Sequence, residues 1–273
     1  MIVDDEEGFR ALTRRVSRDA GLTLDAYKDK CLRRRLLVRM RACSVHTYAE
    51  YLAVLDRRPE EWDKLKDALT INVTRFYRNP ETWDRLRDDL LPGLLAARQG
   101  RLAAWSAGCS SGEEPYTVAM LCAEAIEAAG RSAWSERVRI LATDIDRESL
   151  RRSEAAVYPD AAFLEAPGWM TEKYCERAGE GWQVRERVRR MVTVQRLDLT
   201  REAVPVSTYD LILCRNVVIY FDRPTQERLF AQFAEALQPG GILVLGKVET
   251  LLGVARDRLT LVDARERIFR RAA

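Results

Sequence analysis

The chain has 273 residues, 47% hydrophobic and 32% charged, with a formal net charge of +3, a length that can bury one large core or a large and a small one. Its apolar runs fall short of the roughly 18 residues of a membrane span, so neither a transmembrane helix nor a signal peptide is expected and the cytoplasm is the default location. The six cysteines (31, 43, 109, 122, 175, 214) lack C-x-x-C spacing, which points to reduced thiols rather than a zinc site or disulfide framework.

In chain order, Phe9, Leu12 and Val16 recur at helical spacing, and Gly21 stops that helix. A second helix is expected from Asp25, with Leu32, Leu36 and Met40 as its buried stripe. From Lys28 to Arg41 it carries seven bases, Lys28, Lys30, Arg33, Arg34, Arg35, Arg39 and Arg41, against the single acid Asp29. Such a face is either solvated or a docking surface. Nucleic acid would normally recruit interleaved aromatics or a known module, neither of which is evident, so an acidic protein partner is favoured. Thr47 to Leu55 and Pro59 to Leu69 complete an all-helical unit over residues 1–70. Residues 71–80 mix polar and aromatic side chains without helical periodicity and read as a linker that contributes to a site.

Glu81 to Ala97 reads as a helix leading into the stretch Ala103 to Tyr116, which has the order strand, glycine-containing turn, helix. Gly108 and Gly112 can take positive φ and let a ligand approach the backbone, and Pro115 suits a first helical turn. Some thirty residues later Arg139 to Thr143 reads as a second strand ending at Asp144-Ile145-Asp146. In open α/β sheets an acid in that place grips a ribose. The turn lacks G-x-G-x-x-G, however, and Glu113 and Glu114 would repel a pyrophosphate on the helix N-terminus. A nucleoside bearing positive charge suits it better: S-adenosylmethionine has an ammonium, a sulfonium and no phosphate.

Residues 158–195 break the βα rhythm and read as an inserted β unit, with Trp182 to Arg185 and Val188 to Val194 as short antiparallel strands. A further strand ends at Leu197-Asp198-Leu199. Tyr209 to Phe221 is an apolar central strand with Asn216 and Tyr220 at its end. Pro224 to Leu237 forms an amphipathic helix stopped by Gln238-Pro239-Gly240-Gly241, strand Ile242 to Leu245 follows, and Arg258 to Val262 with Arg267 to Arg271 closes the sheet as an antiparallel hairpin.

Taken together, Asn72-Val73-Thr74-Arg75-Phe76-Tyr77-Arg78, Trp105 to Tyr116, Ala142 to Asp146 and Cys214 to Asp222 resemble the chemotaxis receptor glutamate O-methyltransferases, the CheR family. The resemblance implies an α/β, Rossmann-like S-adenosylmethionine-dependent methyltransferase fold, a mainly parallel sheet with an antiparallel end, over residues 81–273. It implies that Asn72, Thr74 and Arg78 contact the cofactor beside Gly108, with Arg78 near its carboxylate and the reacting centre. Glu113 or Glu114 would lie by the methionine part and Asp144 on the ribose. Asp198, Leu199, Asn216 and Val217 would complete the pocket, and Tyr220 would stand beside the methyl group, making Arg78 and Tyr220 the catalytic pair. Receptor glutamates would be the substrate, with Arg33, Arg34, Arg35 and Arg39 docking on the helical cytoplasmic domain of chemoreceptors. In family members that tether to a receptor pentapeptide the inserted β unit has a longer loop than Ala178 to Trp182, which argues against tethering here. Gly246-Lys247-Val248-Glu249 stands where many relatives carry Gly-His-Ser-Glu.

The chemistry agrees. His46 is the single histidine, in the helical unit, but methylating a carboxylate needs no base, because a glutamate of pKa about 4.3 is already ionised at neutral pH. A nucleic-acid methyltransferase is disfavoured because Asn216 is followed by Val217-Val218-Ile219 and not by an Asn-Pro-Pro-Tyr type motif. A nicotinamide enzyme is disfavoured by the acidic seat. A signalling module that binds S-adenosylmethionine without turnover is the alternative.

Overall fold

A computed structural model describes residues 5–70, 73–205 and 208–272. The chain divides into two compact units, one of residues 1–72 with Tyr220–Thr225, the other of Val73–Ile219 with Gln226–Ala273.

The first unit is helical. Asp5 opens α1 (Glu6–Ala20) by accepting from the Glu7 and Gly8 amides at 3.1 and 2.9 Å, and Gly21 at φ 69° ends it. The basic helix α2 spans Asp29–Ala42, later than the expected start at Asp25, because Leu24–Ala26 forms a 3-10 turn and Tyr27 is extended, bridging to Phe221. A capping box of Thr47 and Glu50 starts α3 (Tyr48–Arg57), and Pro59 occupies the first turn of α4 (Pro59–Leu69). Phe9, Leu12, Val16, Leu32, Leu36, Met40, Tyr51 and Leu65 are buried together as the core faces of these helices.

The second unit begins with residues from Val73 that the sequence reads as a linker; Phe76 stacks on Phe163 at 4.2 Å and the Tyr77 amide reaches Thr117 Oγ1 at 3.3 Å, so this stretch is part of the core. Asn72 lies outside the described residues. The helix expected over Glu81 to Ala97 is α5 (Pro80–Arg85), a π turn (Leu86–Leu90) and α6 (Leu91–Ala97). Pro92 supplies no amide to the preceding turn, which opens by one residue.

Then follow β1 (Leu102–Ala107), α7 (Glu113–Ala128), β2 (Val138–Asp144), α8 (Arg147–Ala155), β3 (Val157–Pro159), α9 (Gly168–Tyr174), β4 (Cys175–Ala178), β5 (Gly181–Val184), α10 (Glu186–Arg189), β6 (Val192–Arg196), β7 (Tyr209–Cys214), α11 (Arg223–Ala236), β8 (Leu237–Leu245), α12 (Ala255–Arg258), β9 (Leu259–Asp263) and β10 (Ile268–Arg271). The main sheet has the order β6-β2-β1-β7-β8-β10-β9. Its first five strands are parallel, and β10 is antiparallel to β8 and β9. Strand β7 is buried along its whole length, as a strand covered on both faces must be.

Two expectations are corrected. Val188 to Val194 is not an antiparallel strand of the inserted unit: Glu186–Arg189 is helical, and β6 joins the edge of the main sheet parallel to β2. The inserted sheet is instead β3-β5-β4. Gln238-Pro239-Gly240-Gly241 is not a plain helix stop either, because β8 already pairs at Leu237 with Tyr209, and the next pair is Leu211 with Ile242. The residues between bulge out, with Gly240 at φ 78°.

Candidate functional site

Chain order runs outward from β1 to β2 and β6 on one side, then returns to β7 on the other. The carboxyl ends of β1 and β7 therefore flank a topological switch point, where an open α/β sheet leaves a crevice. Gly108, just past β1, is at φ 85°, and a Cβ added there would lie 2.4 Å from Val217 Cγ2. Only glycine lets the two loops meet this closely. The Gly108 and Cys109 amides donate to the Thr143 carbonyl at 2.8 and 2.9 Å, which ties the turn to the end of β2.

Asp144 closes β2. Its Oδ2 accepts from the Ser110 amide at 2.8 Å and its Oδ1 from the Asp146 amide at 3.0 Å. Burial pushes the Asp144 carboxyl above its usual range, against the pull of those amides. The neighbouring acids separate. Glu113 is buried and turned to Ser111 Oγ, which donates to both its oxygens at 3.0 and 2.8 Å. Glu114 accepts from Ser106 Oγ at 2.8 Å and faces the Arg215 guanidinium at 3.4 Å. Burial raises both carboxyls, and Arg215 draws Glu114 back only in part.

Arg215 was passed over in the sequence although it stands inside the Cys214 to Asp222 motif. It is buried, its Nη2 donates to the Arg78 carbonyl at 2.7 Å and to Asn79 Oδ1 at 3.1 Å, and its Cζ lies 5.0 Å from the Trp83 ring centroid. One guanidinium thus fastens the Arg78 segment to the end of β7 and to Glu114. Arg78 is half-buried and donates from Nη1 to the Val73 carbonyl at 2.8 Å; Thr74 is half-buried beside this segment in sequence. Asn216 takes a left-handed conformation, φ 61°. Asp198 is buried, and its Oδ1 accepts from the Thr200 amide and hydroxyl at 2.8 and 2.6 Å, while the Leu199 carbonyl accepts from Arg228 at 3.1 Å.

Tyr220 belongs to the helical unit. Its carbonyl accepts from the Lys28 amide at 2.9 Å, and the Arg35 Cζ lies 4.4 Å from its ring centroid. This corrects the reading of the basic helix. Arg35 is 7% exposed, donates to the Leu69 carbonyl, and has Nε and Nη2 without hydrogen-bond partners. Burial lowers its pKa. Arg39 forms a two-pronged bond to buried Glu61 at 2.9 and 2.8 Å, and Arg33 pairs with Glu6 while lying 3.8 Å over the Phe9 ring. Of the four arginines expected to dock a partner only Arg34 is exposed; Lys30, Val38 and Arg41 share its side of α2.

The residues fit S-adenosylmethionine. Three carboxyls raised by burial surround the glycine turn, an arrangement that is relieved by a cation and by ribose hydroxyls and would be worsened by phosphate. Among the described residues no group of three or more His, Cys, Asp or Glu could hold a metal ion. Sheet order, switch point and acidic seat together define a methyltransferase that uses S-adenosylmethionine. Family models agree over both units: "CheR methyltransferase, SAM binding domain" matches residues 72–268 and "CheR methyltransferase, all-alpha domain" residues 7–70. The chain belongs to the CheR methyltransferase family. It is 34% identical to a chemotaxis protein methyltransferase of Klebsiella aerogenes, covering 91% of this chain and 85% of that one. A Listeria monocytogenes chemotaxis protein methyltransferase is also 34% identical, with 93% and 94% covered, and chemotaxis protein methyltransferase 2 of Pseudomonas aeruginosa is 32% identical, with 90% and 87% covered.

Proposed function

We propose that this methyltransferase esterifies glutamate side chains on the helical cytoplasmic domain of chemoreceptors, in the cytoplasm, for sensory adaptation. The carrying observation is the acidic seat at the switch point, joined to a helical unit whose basic helix keeps an exposed face. S-adenosylmethionine, when bound, supplies a methyl group on a sulfonium leaving group. The chain's own task is then to align and dehydrate the two reactants, since the attacking carboxylate needs no deprotonation. In this reading Asp144 receives a ribose hydroxyl and Glu114, the acid that faces the Arg78 segment, receives the ammonium. Gly108, Glu113, Thr74, Asn72, Asp198, Leu199, Asn216 and Val217 complete the binding site. Arg78 draws the substrate carboxylate into line, and Tyr220, braced by Arg35, borders the methyl group.

Docking falls to Lys30, Arg34, Val38 and Arg41 rather than to the buried part of the helix. No helix among the described residues is long and apolar enough to cross a membrane. The test is transfer of labelled methyl from S-adenosylmethionine to chemoreceptor cytoplasmic fragments. Release of the label as methanol by alkali is expected, since a carboxyl ester is alkali-labile; label that survives alkali would refute glutamate as the acceptor.

A further inference from the structure

After β7 the chain makes a turn in which successive amides point inward. The Val217 amide donates to Glu249 Oε1 at 3.0 Å, the Gly246 amide donates to Glu249 Oε2, and the Asn216 and Ile219 amides also bond to this carboxylate. Glu249 is 2% exposed. A run of backbone N–H groups converging in this way is an anion-binding nest, and here a side chain from the following strand end fills it.

The surroundings are built for that arrangement. Asn216, at φ 61°, turns the chain into the nest. A Cβ on Gly246 would lie 2.8 Å from the Asn216 nitrogen and 2.8 Å from Glu249 Oε2, so glycine leaves room for the carboxylate to reach in. Gln226 Nε2 holds the Val218 carbonyl at 2.8 Å from the other side. Lys247, two residues from Glu249, is turned away to Glu81 at 3.0 Å and Glu266 at 3.4 Å.

We propose that Glu249 is a positioning residue that holds the loop carrying Asn216 and Val217, and leading directly into Tyr220, in its cofactor-binding shape. This rests on the reading above that the loop lines the cofactor site. A carboxylate offers two charged acceptor atoms; an amide offers one acceptor and presents an NH2 group where the second amide hydrogen arrives. Glu249→Gln therefore opens the nest without changing its volume, and the loop beside Gly108 loses its fixed conformation.

The experiment is calorimetry with S-adenosylhomocysteine alongside thermal melting, on wild type, Glu249→Gln, Glu249→Asp and Lys247→Ala. For Glu249→Gln we expect affinity weakened about tenfold or more at a temperature where the protein is folded. Glu249→Asp keeps the charge on a shorter arm and recovers part of the loss, while Lys247→Ala binds as wild type. In turnover the Gln variant raises the cofactor KM. A purely structural residue would lower the melting temperature of Glu249→Gln but leave the folded fraction binding within about twofold of wild type, and that result overturns the proposal. Should Glu249→Gln not fold, Glu249→Asp decides: loss of about threefold or more with the fold intact supports the role, and unchanged affinity refutes it. Failure of the wild type itself to bind S-adenosylhomocysteine would instead overturn the cofactor-site reading.

Discussion

Asp144→Ala separates binding from folding most cleanly. A carboxylate has about four lone-pair positions, and the Ser110, Asp146 and Ile145 amides draw on three, leaving one for a ribose hydroxyl. A bond to a charged acceptor contributes about 1.5–3 kcal/mol, so losing the ribose bond weakens binding by roughly ten- to a hundredfold. The same change strands these three amides. A net stability loss of about 2 kcal/mol would lower Tm by roughly 4–8 °C in a unit of this size. Calorimetric titration of S-adenosylhomocysteine into the variant, held well below its measured Tm, checks the magnitude. Binding within about threefold of wild type by a folded variant would refute the ribose assignment, because such a loss is less than one charged hydrogen bond.

Arg215→Met leaves Glu114 buried without its cation and the Arg78 carbonyl with Trp83 Nε1 as its remaining donor; unfolding in urea should show about 3–5 kcal/mol lost, and an unchanged midpoint would show that this cluster does not hold the site. Burial raises the carboxyls of Glu114 and Asp144, so in the free protein they take up protons at a higher pH than ordinary carboxylates do, and a ligand that needs them ionised must expel those protons. Affinity for S-adenosylhomocysteine should thus fall as pH is lowered into the mildly acidic range, with net proton release seen by calorimetry in buffers of different ionisation enthalpy; net proton uptake would contradict this. Reversing Lys30, Arg34 and Arg41 together to glutamate should weaken methylation of receptor fragments and leave S-adenosylhomocysteine affinity unchanged, with equal loss of both telling against a docking role.

The alternation of strands and helices, the glycine turn and the acid closing β2 were all readable, because each is written locally in period and turn chemistry. Arg35 shows where such reading stopped short. It lies three residues after Leu32 and next to Leu36, on the buried side of α2, as Arg39 does after Leu36; the spacing held that signal, but charge count overrode it. Strand β6 was misassigned for another reason. Its exposure alternates because it is an edge, and nothing local reveals that its partner is β2, some fifty residues earlier in the chain. Arg215 and Glu249 both stand in quoted motifs, but their roles depend on which backbone carbonyls and amides tertiary packing brings to them.

The most direct test is mass mapping of a chemoreceptor cytoplasmic fragment after incubation with the protein and S-adenosylmethionine. One added methylene on particular glutamates, lost on alkaline treatment and absent when Asp144→Ala replaces wild type, is the result expected. Methylation at lysine or arginine, or no transfer to any fragment by protein that binds S-adenosylhomocysteine, would contradict the assignment of a glutamate O-methyltransferase.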